Sequence, residues 1–561
     1  MPGVQRRIGG LFGVFFLLLV LAAGRTWYLG SLHSGTLRAA ARSQQLTYEK
    51  LPAQRGTITD RNGIDLAISE PAQDISATPY LVKDPLEAAR RLAPLLGQTQ
   101  DQILTHLSEH TGFVYLARGV PAGRARAAQR LMQSSKIEGI SGTPTMRRVY
   151  PRGVLAAQVL GVLGAEGRGL SGLEYSLGPV LQGRAGERRV VSDALGQPVS
   201  ISNVHREVPG ANVSLTLDAN IQQRTEDVLG AVGRVFHPKD ATAIVMDPDS
   251  GAILAMANWP QVNPNDPVAA SPQALEEALE NRAVGFDYEP GSTFKAVTVS
   301  AGLQEGLITP STGFEIPDQI QVADRTIHDD TEHAPESLTT AQILAQSSNV
   351  GAIKIGLLEG APRFSQWVRR FGFGAPTGVG LPGEEIGLVP PLSQYSGSSM
   401  GNLPIGQGES VTPIQMATAY AAIANGGILR APHIVRAIDG RLTSEPKGRR
   451  VISTQTAAEL RQMLEGVLAP GGTASEVSIP GYKLAGKTGT ANKVDPLTGE
   501  YSKSAYVASF MGFAPAADPK LLCAVIIDEP QSGSIYGGVV AAPAFGQIMS
   551  FALPYLGIPP G

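Results

Sequence analysis

Residues 290–306 read Pro290-Gly291-Ser292-Thr293-Phe294-Lys295, then Ala-Val-Thr-Val-Ser-Ala-Gly-Leu-Gln-Glu-Gly306. Proline and glycine punctuate the entry, and the run that follows continues to Gly306, so the pattern predicts a helix starting at Ser292. Ser292 and Lys295 then lie three apart on neighbouring positions of one helical face. A free serine hydroxyl is a poor nucleophile and needs an adjacent base; a desolvated lysine with a lowered pKa can serve. The positive end of the helix dipole also favours a developing alkoxide. Spacing alone decides nothing, because Ser444-Glu445-Pro446-Lys447 repeats it. There an internal proline and a polar setting predict a plain loop.

Two further fragments single out the first copy. Ser347-Ser348-Asn349 falls between two helical stretches and predicts a bend. It reads either as a helix-end cap or as a proton-shuttling Ser347 beside an Asn349 that contacts a substrate amide. Lys487-Thr488-Gly489-Thr490 continues Tyr482–Gly486 as a strand whose small residues let a substrate backbone approach. Lys487 would be a fixed cation, Thr488 and Thr490 would supply hydroxyls, and the Thr490 and Ser292 backbone N–H groups would bind an oxyanion. No Gly-x-x-x-x-Gly-Lys precedes a helix here, which argues against a nucleotide loop. Each fragment alone reads as an ordinary cap or strand end. Their order, Ser-x-x-Lys, Ser-Ser-Asn, Lys-Thr-Gly, is that of the penicillin-recognising serine enzymes.

The chain has 561 residues, enough for two or three domains with sizeable cores. Net charge is −3, so the basic footprint of a nucleic-acid binder is missing. One cysteine, Cys523, excludes an internal disulfide and a cysteine metal cage, and its apolar run predicts a buried thiol. The eight histidines form no metal-spaced pair. His328 and His333, with Asp329, Asp330 and Glu332, read as a solvated acidic loop, with a metal site as the alternative.

Ile8 to Gly24 carries no charge, with Arg6 and Arg7 before it, Arg25 after it, and Trp27, Tyr28 and Leu29 extending it towards an interface. This predicts an uncleaved single-pass anchor in a lipid bilayer, with a cytoplasmic N-terminus and the bulk of the chain outside the cytoplasm. A signal peptide cut at Ala22-Ala23-Gly24 is the competing reading, but the apolar run exceeds the usual signal core of about 7–15 residues. No second long apolar run is expected. Residues 30–48 read as a connector, and Asn62-Gly63 as a tight hairpin turn. Pro85–Gly97, with Leu86, Ala89, Leu92 and Leu96, and Ala122–Gln133 read as amphipathic helices. From Arg148 onward glycines and short strands are expected, including Gly169–Glu174. Beyond Val213, a helix over Asn220–Leu229 precedes strands at 241–246 and 252–256, joined by a turn at 247–251. Helices around Ser292, Ala341, Phe364, Pro413 and Thr456 follow, then strands at 505–513 and 521–528. The pattern predicts one sheet with helices on its faces in a multi-domain α+β chain.

Taken together, the chain resembles a class B penicillin-binding protein. Arg55-Gly56, Asp60-Arg61, Asn62-Gly63, Tyr150-Pro151 and Gly172-Leu173-Glu174 are similar to signatures of that family's pedestal, and Gly406-Gln407-Gly408 with Thr412-Pro413-Ile414-Gln415 to its transpeptidase domain. Tyr536-Gly537-Gly538 and Ala542-Pro543-Ala544-Phe545 resemble the septal, division-specific FtsI branch. Serine at 348, where aspartate is often quoted, suits class B. The resemblance implies a cytoplasmic tail (1–7), an anchor (8–29), a linker (30–48), a pedestal of the dimerisation type (49–212) and a transpeptidase domain (213–561), the last an antiparallel sheet flanked by helices, as in serine β-lactamases. It implies a peptidoglycan D,D-transpeptidase that binds D-Ala-D-Ala stem peptides and β-lactam antibiotics. Ser292 would be the nucleophile, Lys295 the base, Ser347 and Asn349 the shuttle and amide contact, and Lys487 the carboxylate cation, with Thr488, Gly489 and Thr490 lining the substrate strand. No cofactor or metal is implied; an FtsW-type glycosyltransferase and other divisome membrane proteins are the implied partners. Rival readings are an elongation- or sporulation-type transpeptidase, a D,D-carboxypeptidase, a β-lactam sensor or inactive scaffold, and a class A β-lactamase. The last lacks its deacylating glutamate here: after Asn349 the nearby acids Glu359, Glu384 and Glu385 sit in no Glu-x-x-Leu-Asn setting. A bifunctional synthase would need a larger N-terminal domain than 49–210 provides.

Overall fold

A computed structural model of the chain describes residues 2–31, 46–192, 198–267, 271–495 and 497–560. Most of the expected connector at 30–48 lies outside them. Helix α1 (Pro2–Ser31) contains the predicted anchor. Its stretch Arg7–Gly30 is 24 residues long and apolar enough to cross a membrane, and none of it is buried. That length is about 36 Å at 1.5 Å per residue, enough for a bilayer core of about 30 Å. One expectation is corrected: Gly537–Tyr555 is also long and apolar enough to cross a membrane. It is 56% buried within its own unit, and its helix packs in the core, so its apolarity serves packing.

Two compact units follow. The smaller comprises residues up to 54, 70–147 and 183–210. Leu46–Leu51, Gly186–Ser192 and Pro198–His205 form an antiparallel three-stranded sheet with Gly186–Ser192 in the centre. Val114–Pro121 pairs with residues 72–77, and the helices Pro85–Leu96, Gln100–Leu107 and Ala122–Ser134 close a core around Ile75, Leu92, Ile103 and Leu116. Asp84 caps the first helix by accepting from the Glu87 N–H, and Gly97 ends it at φ 70°, a left-handed conformation that glycine adopts without strain. The buried face is Ala88, Ala89, Leu92, Ala93 and Leu96; Leu86, expected on it, is exposed in the first turn.

The larger unit comprises 55–69, 148–182 and 211–561. Two segments that read as pedestal thus pack with the C-terminal part. Asp60 accepts from the Asn62 and Ile64 N–H groups, and Gly63 at φ 84° completes the expected hairpin between Ile58–Thr59 and Asp65. Gly172–Ser176, within the stretch expected to be rich in glycine and short strands, is a short helix. It buries Glu174, whose carboxylate lies 2.5 Å from Arg55 Nε and 2.6 Å from Arg148 Nε. Two sequence signatures, Arg55-Gly56 and Gly172-Leu173-Glu174, therefore meet with Arg148 as one buried ion triad.

In chain order come helix α2 (Ala219–Phe236), strands β1 (Asp240–Met246) and β2 (Ile253–Trp259), helices α3 (Lys295–Gln304), α4 (Thr340–Gln346), α5 (Asn349–Glu359) and α6 (Pro413–Ala424), strands β3 (Ala485–Val494), β4 (Tyr501–Ala514) and β5 (Leu521–Asp528), and helix α7 (Ala542–Tyr555). The five strands form one antiparallel sheet in the order β2-β1-β5-β4-β3. Alternate residues enter two separate cores. Ile244, Met246, Met511, Phe513 and Leu522 face the α3 and α6 side, whereas Val245, Phe510, Cys523, Val525 and Ile527 face α2 and α7. Burial on both faces explains why β5 reads as an unbroken apolar run over Leu521–Ile527 and β1 as apolar but for Asp240 and Thr242, without polar alternation. Cys523 is buried, as its run predicts.

Candidate active site

The serine turn is tighter than the sequence predicts. Gly291–Phe294 forms a 3-10 turn, and the α-helix α3 starts only at Lys295. In 3-10 geometry positions i and i+3 eclipse, so Ser292 and Lys295 align along one edge more closely than in an α-helix. Gly291 makes the turn possible at φ 53°, and its N–H donates to the Gly406 carbonyl at 2.9 Å. Gly406, at φ 74°, has no room for a side chain: an added Cβ would lie 2.3 Å from the Gly291 carbonyl oxygen. Below the turn, the hydroxyl of the fully buried Tyr420 donates to the Thr293 carbonyl at 2.7 Å. Tyr420 lies on α6, which opens with a reciprocal cap between Thr412 and Gln415. The Gly406-Gln407-Gly408 and Thr412–Gln415 segments thus build the floor under the serine.

Lys295 is fully buried, and its Nζ lies 2.5 Å from the Ser347 carbonyl, 3.3 Å from Ser347 Oγ and 2.7 Å from Asn349 Oδ1. The predicted bend is present between α4 and α5. Ser347 sits at φ 66°, in the left-handed region, and Ser348 caps α5 by accepting from the Gly351 N–H at 2.9 Å. The capping and functional readings of the triplet therefore divide among its members: Ser348 caps, while Ser347 and Asn349 face the lysine. Burial pushes the Lys295 amine down to about 8; the carboxylates of Asp330 and Asp329 act in the opposite sense.

The third fragment occupies β3, the edge strand of the sheet. Lys487 is fully buried, with Nζ 3.2 Å from the Thr488 carbonyl. Burial, then the neighbouring Lys295 charge, lowers its pKa, and Asp330 opposes this. The two amines are thus buried near one another, with the exposed Asp330 carboxylate acting on both. An added Cβ at Gly489 would lie 2.9 Å from Thr293 Cγ2 and 3.1 Å from the Pro290 carbonyl, so only glycine lets the serine turn sit this close to the strand. Thr488 Oγ1 lies 2.7 Å from Thr473 Oγ1, and Thr490 Oγ1 accepts from the Gly537 N–H at 3.1 Å. Gly537, part of the C-terminal signature, fits because its missing Cβ would lie 2.3 Å from the Gly489 carbonyl.

The loop after His328 is the feature that sequence reasoning missed. Read as a solvated segment or a metal site, it instead covers the bend. The Asn349 side-chain N–H groups donate to the His328 carbonyl at 3.0 Å and to Asp330 Oδ1 at 3.1 Å. Asp329 accepts from the Ser348 hydroxyl at 2.8 Å and from backbone N–H groups at the start of α5. No cluster of three or more metal-ligating side chains occurs among the described residues. The loop lies some twenty positions before the bend and has no spacing signature, so only the tertiary structure brings them together. The second Ser-x-x-Lys, at Ser444–Lys447, lies in a mostly exposed loop, as predicted.

Comparison with known proteins agrees with this architecture. Residues 241–550 match the penicillin binding protein transpeptidase domain, and residues 50–215 match the penicillin-binding protein dimerisation domain. The chain is 36% identical to penicillin-binding protein PbpB of Mycobacterium tuberculosis, over 97% of this chain and 84% of the relative. It is 33% identical to peptidoglycan D,D-transpeptidase FtsI of Escherichia coli, over 99% of this chain and 93% of the relative. A crystal structure of penicillin binding protein 3 from Mycobacterium tuberculosis complexed with aztreonam superposes with a TM-score of 0.72 at 32% identity, covering 91% of this chain and 98% of that one. A buried Ser-x-x-Lys turn, a Ser-Ser-Asn bend and a Lys-Thr-Gly edge strand, carried behind a dimerisation domain, establish that the chain belongs to the class B penicillin-binding proteins.

Proposed function

We propose that this chain is a peptidoglycan D,D-transpeptidase that works through an acyl-enzyme on Ser292, within a transpeptidase domain spanning 213–561 and carried by a pedestal at 49–212. The observation that carries the reading is the buried Lys295 amine, held by Ser347 and Asn349 beside the serine turn with its pKa lowered towards neutrality. Ser292 Oγ attacks the carbonyl of the penultimate D-alanine of a stem peptide, and its proton passes to Lys295. The developing oxyanion accepts hydrogen bonds from the Ser292 and Thr490 backbone N–H groups. Collapse breaks the C–N bond; the Ser347 hydroxyl relays a proton to the leaving D-alanine. The amine of a second stem peptide then attacks the ester, forms the cross-link and returns the proton to Ser292. Lys487 and Thr488 receive the terminal carboxylate of the donor peptide. A β-lactam, whose ring amide stands in for the D-Ala-D-Ala bond, acylates the same oxygen.

The test is covalent labelling of the full-length chain with a fluorescent penicillin. The parent labels, with the adduct on the Ser292 peptide by mass spectrometry; Ser292→Ala does not. Labelling of Ser292→Ala at the parent's level would sink the nucleophile assignment. The overall similarity to FtsI and the Tyr536-Gly537-Gly538 ending support a septal role, on a single-pass membrane protein with its catalytic domain outside the cytoplasm and an FtsW-type glycosyltransferase as partner. A tagged copy should concentrate at division sites; even staining of the envelope would count against this role.

A further inference from the structure

Asp329 hydrogen-bonds neither the nucleophile nor either lysine, yet both its oxygens are committed. Oδ1 accepts from the backbone N–H groups of Asn349, by a very short bond, and of Val350 at 3.0 Å. Oδ2 accepts from the Ser348 hydroxyl at 2.8 Å and lies 3.2 Å from His333 Nε2. Its side chain is only 9% exposed. These amides are the first two of the eleven-residue α5, where orphan N–H groups and the helix dipole favour an anion. On the far side, His333 Nδ1 lies 2.8 Å from the Ala334 carbonyl, an acceptor only. Acceptors at both ring nitrogens, with the Glu336 carboxylate 3.5 Å from Nδ1, favour the charged imidazolium as the form that braces Asp329. This raises the imidazole pKa.

Ser348 and Asn349 are therefore pinned from outside. Ser347, just before them, is left in the left-handed region at φ 66°, a conformation that a serine keeps only when its surroundings enforce it. That conformation turns its carbonyl and hydroxyl onto the Lys295 amine. We propose that Asp329, braced by His333, is the positioning residue of the catalytic base: it builds the Ser347 bend on which Lys295 rests. The inference rests on Lys295 acting as the base for Ser292. The charged groups bearing on Lys295 are Asp329 and Asp330 from the loop and Lys487 from β3. Removing the Asp329 charge thus has two consequences: a looser bend, and a Lys295 amine that loses its proton at lower pH.

The test compares full-length parent, Asp329→Asn, Asp329→Ala and His333→Gln. The readouts are the second-order rate constant for acylation by a fluorescent penicillin, measured across pH, and thermal stability in the same detergent. Asp329→Ala should acylate about 10- to 100-fold more slowly, the range for losing charge-assisted hydrogen bonds. Asp329→Asn should show a smaller loss, with the midpoint of its pH profile below the parent's, and His333→Gln a loss in the same direction. Parent-like rate and midpoint in Asp329→Asn would overturn the proposal. So would a slower rate with unchanged midpoint and a matching fall in melting temperature, since that is support of the fold alone. Should Asp329→Ala misfold, the isosteric Asp329→Asn decides. If the parent itself does not label on Ser292, the proposed function has failed; if the parent labels and Asp329→Asn matches it, only this inference has.

Discussion

The pH dependence of acylation follows from the burial of one amine. In water a lysine of pKa 10.5 is neutral in about one molecule in 3,000 at pH 7. Burial brings Lys295 down to about 8, where about one molecule in ten is neutral. The site therefore raises the reactive fraction about 300-fold, worth about 3 kcal/mol. The sign is fixed by chemistry: only the neutral amine accepts the Ser292 proton, so acylation must speed up as pH rises. Between pH 6 and 7 the second-order constant for a penicillin should climb nearly tenfold. It should reach half its plateau near pH 8. Stopped-flow mixing with a fluorescent penicillin from pH 5.5 to 9.5 measures the profile, with thermal melts at each pH confirming an intact fold. A constant rate between pH 6 and 9, or one that declines steadily, would refute Lys295 as the base.

Glu174→Ala removes the anion shared by Arg55 and Arg148, whose side chains are 7% and 4% exposed. Leaving two buried guanidinium groups unpaired should cost about 3–5 kcal/mol, seen as a lower urea midpoint for the larger unit; parent-like unfolding would show the triad to be dispensable. Gly489→Ala should wedge the serine turn away from β3, because the new methyl meets Ser509 Oγ at 2.4 Å, which can rotate away, and the Pro290 carbonyl at 3.1 Å, which cannot. We expect overpacking of about 1–3 kcal/mol and a penicillin acylation rate at least tenfold lower. Acylation at the parent rate would mean that the turn and strand tolerate separation.

The sequence by itself determined the elements and the chemistry that local rules encode. The apolar stretch within α1, the Asn62-Gly63 hairpin, the helix capped at Gly97 and the strands β1 and β5 are legible because periodicity, turn residues and caps act over a few residues. The three fragments that carry Ser292, Lys295, Ser347, Asn349 and Lys487 are legible for the same reason: each is a contiguous word. What only the tertiary structure decided is which distant words meet. Glu174 reads as one more residue of a glycine-rich stretch, and only the fold brings Arg55 and Arg148 onto its carboxylate. Gly537–Tyr555 has the composition of a membrane span, and only its packing against the sheet makes it a core helix. The acidic loop at 328–333 has the composition of a solvated turn, yet Asp329 anchors the bend that orients Lys295. A carboxylate's role depends on which amides and ammonium groups the fold brings within a few ångströms, and no local pattern of residues records that distance.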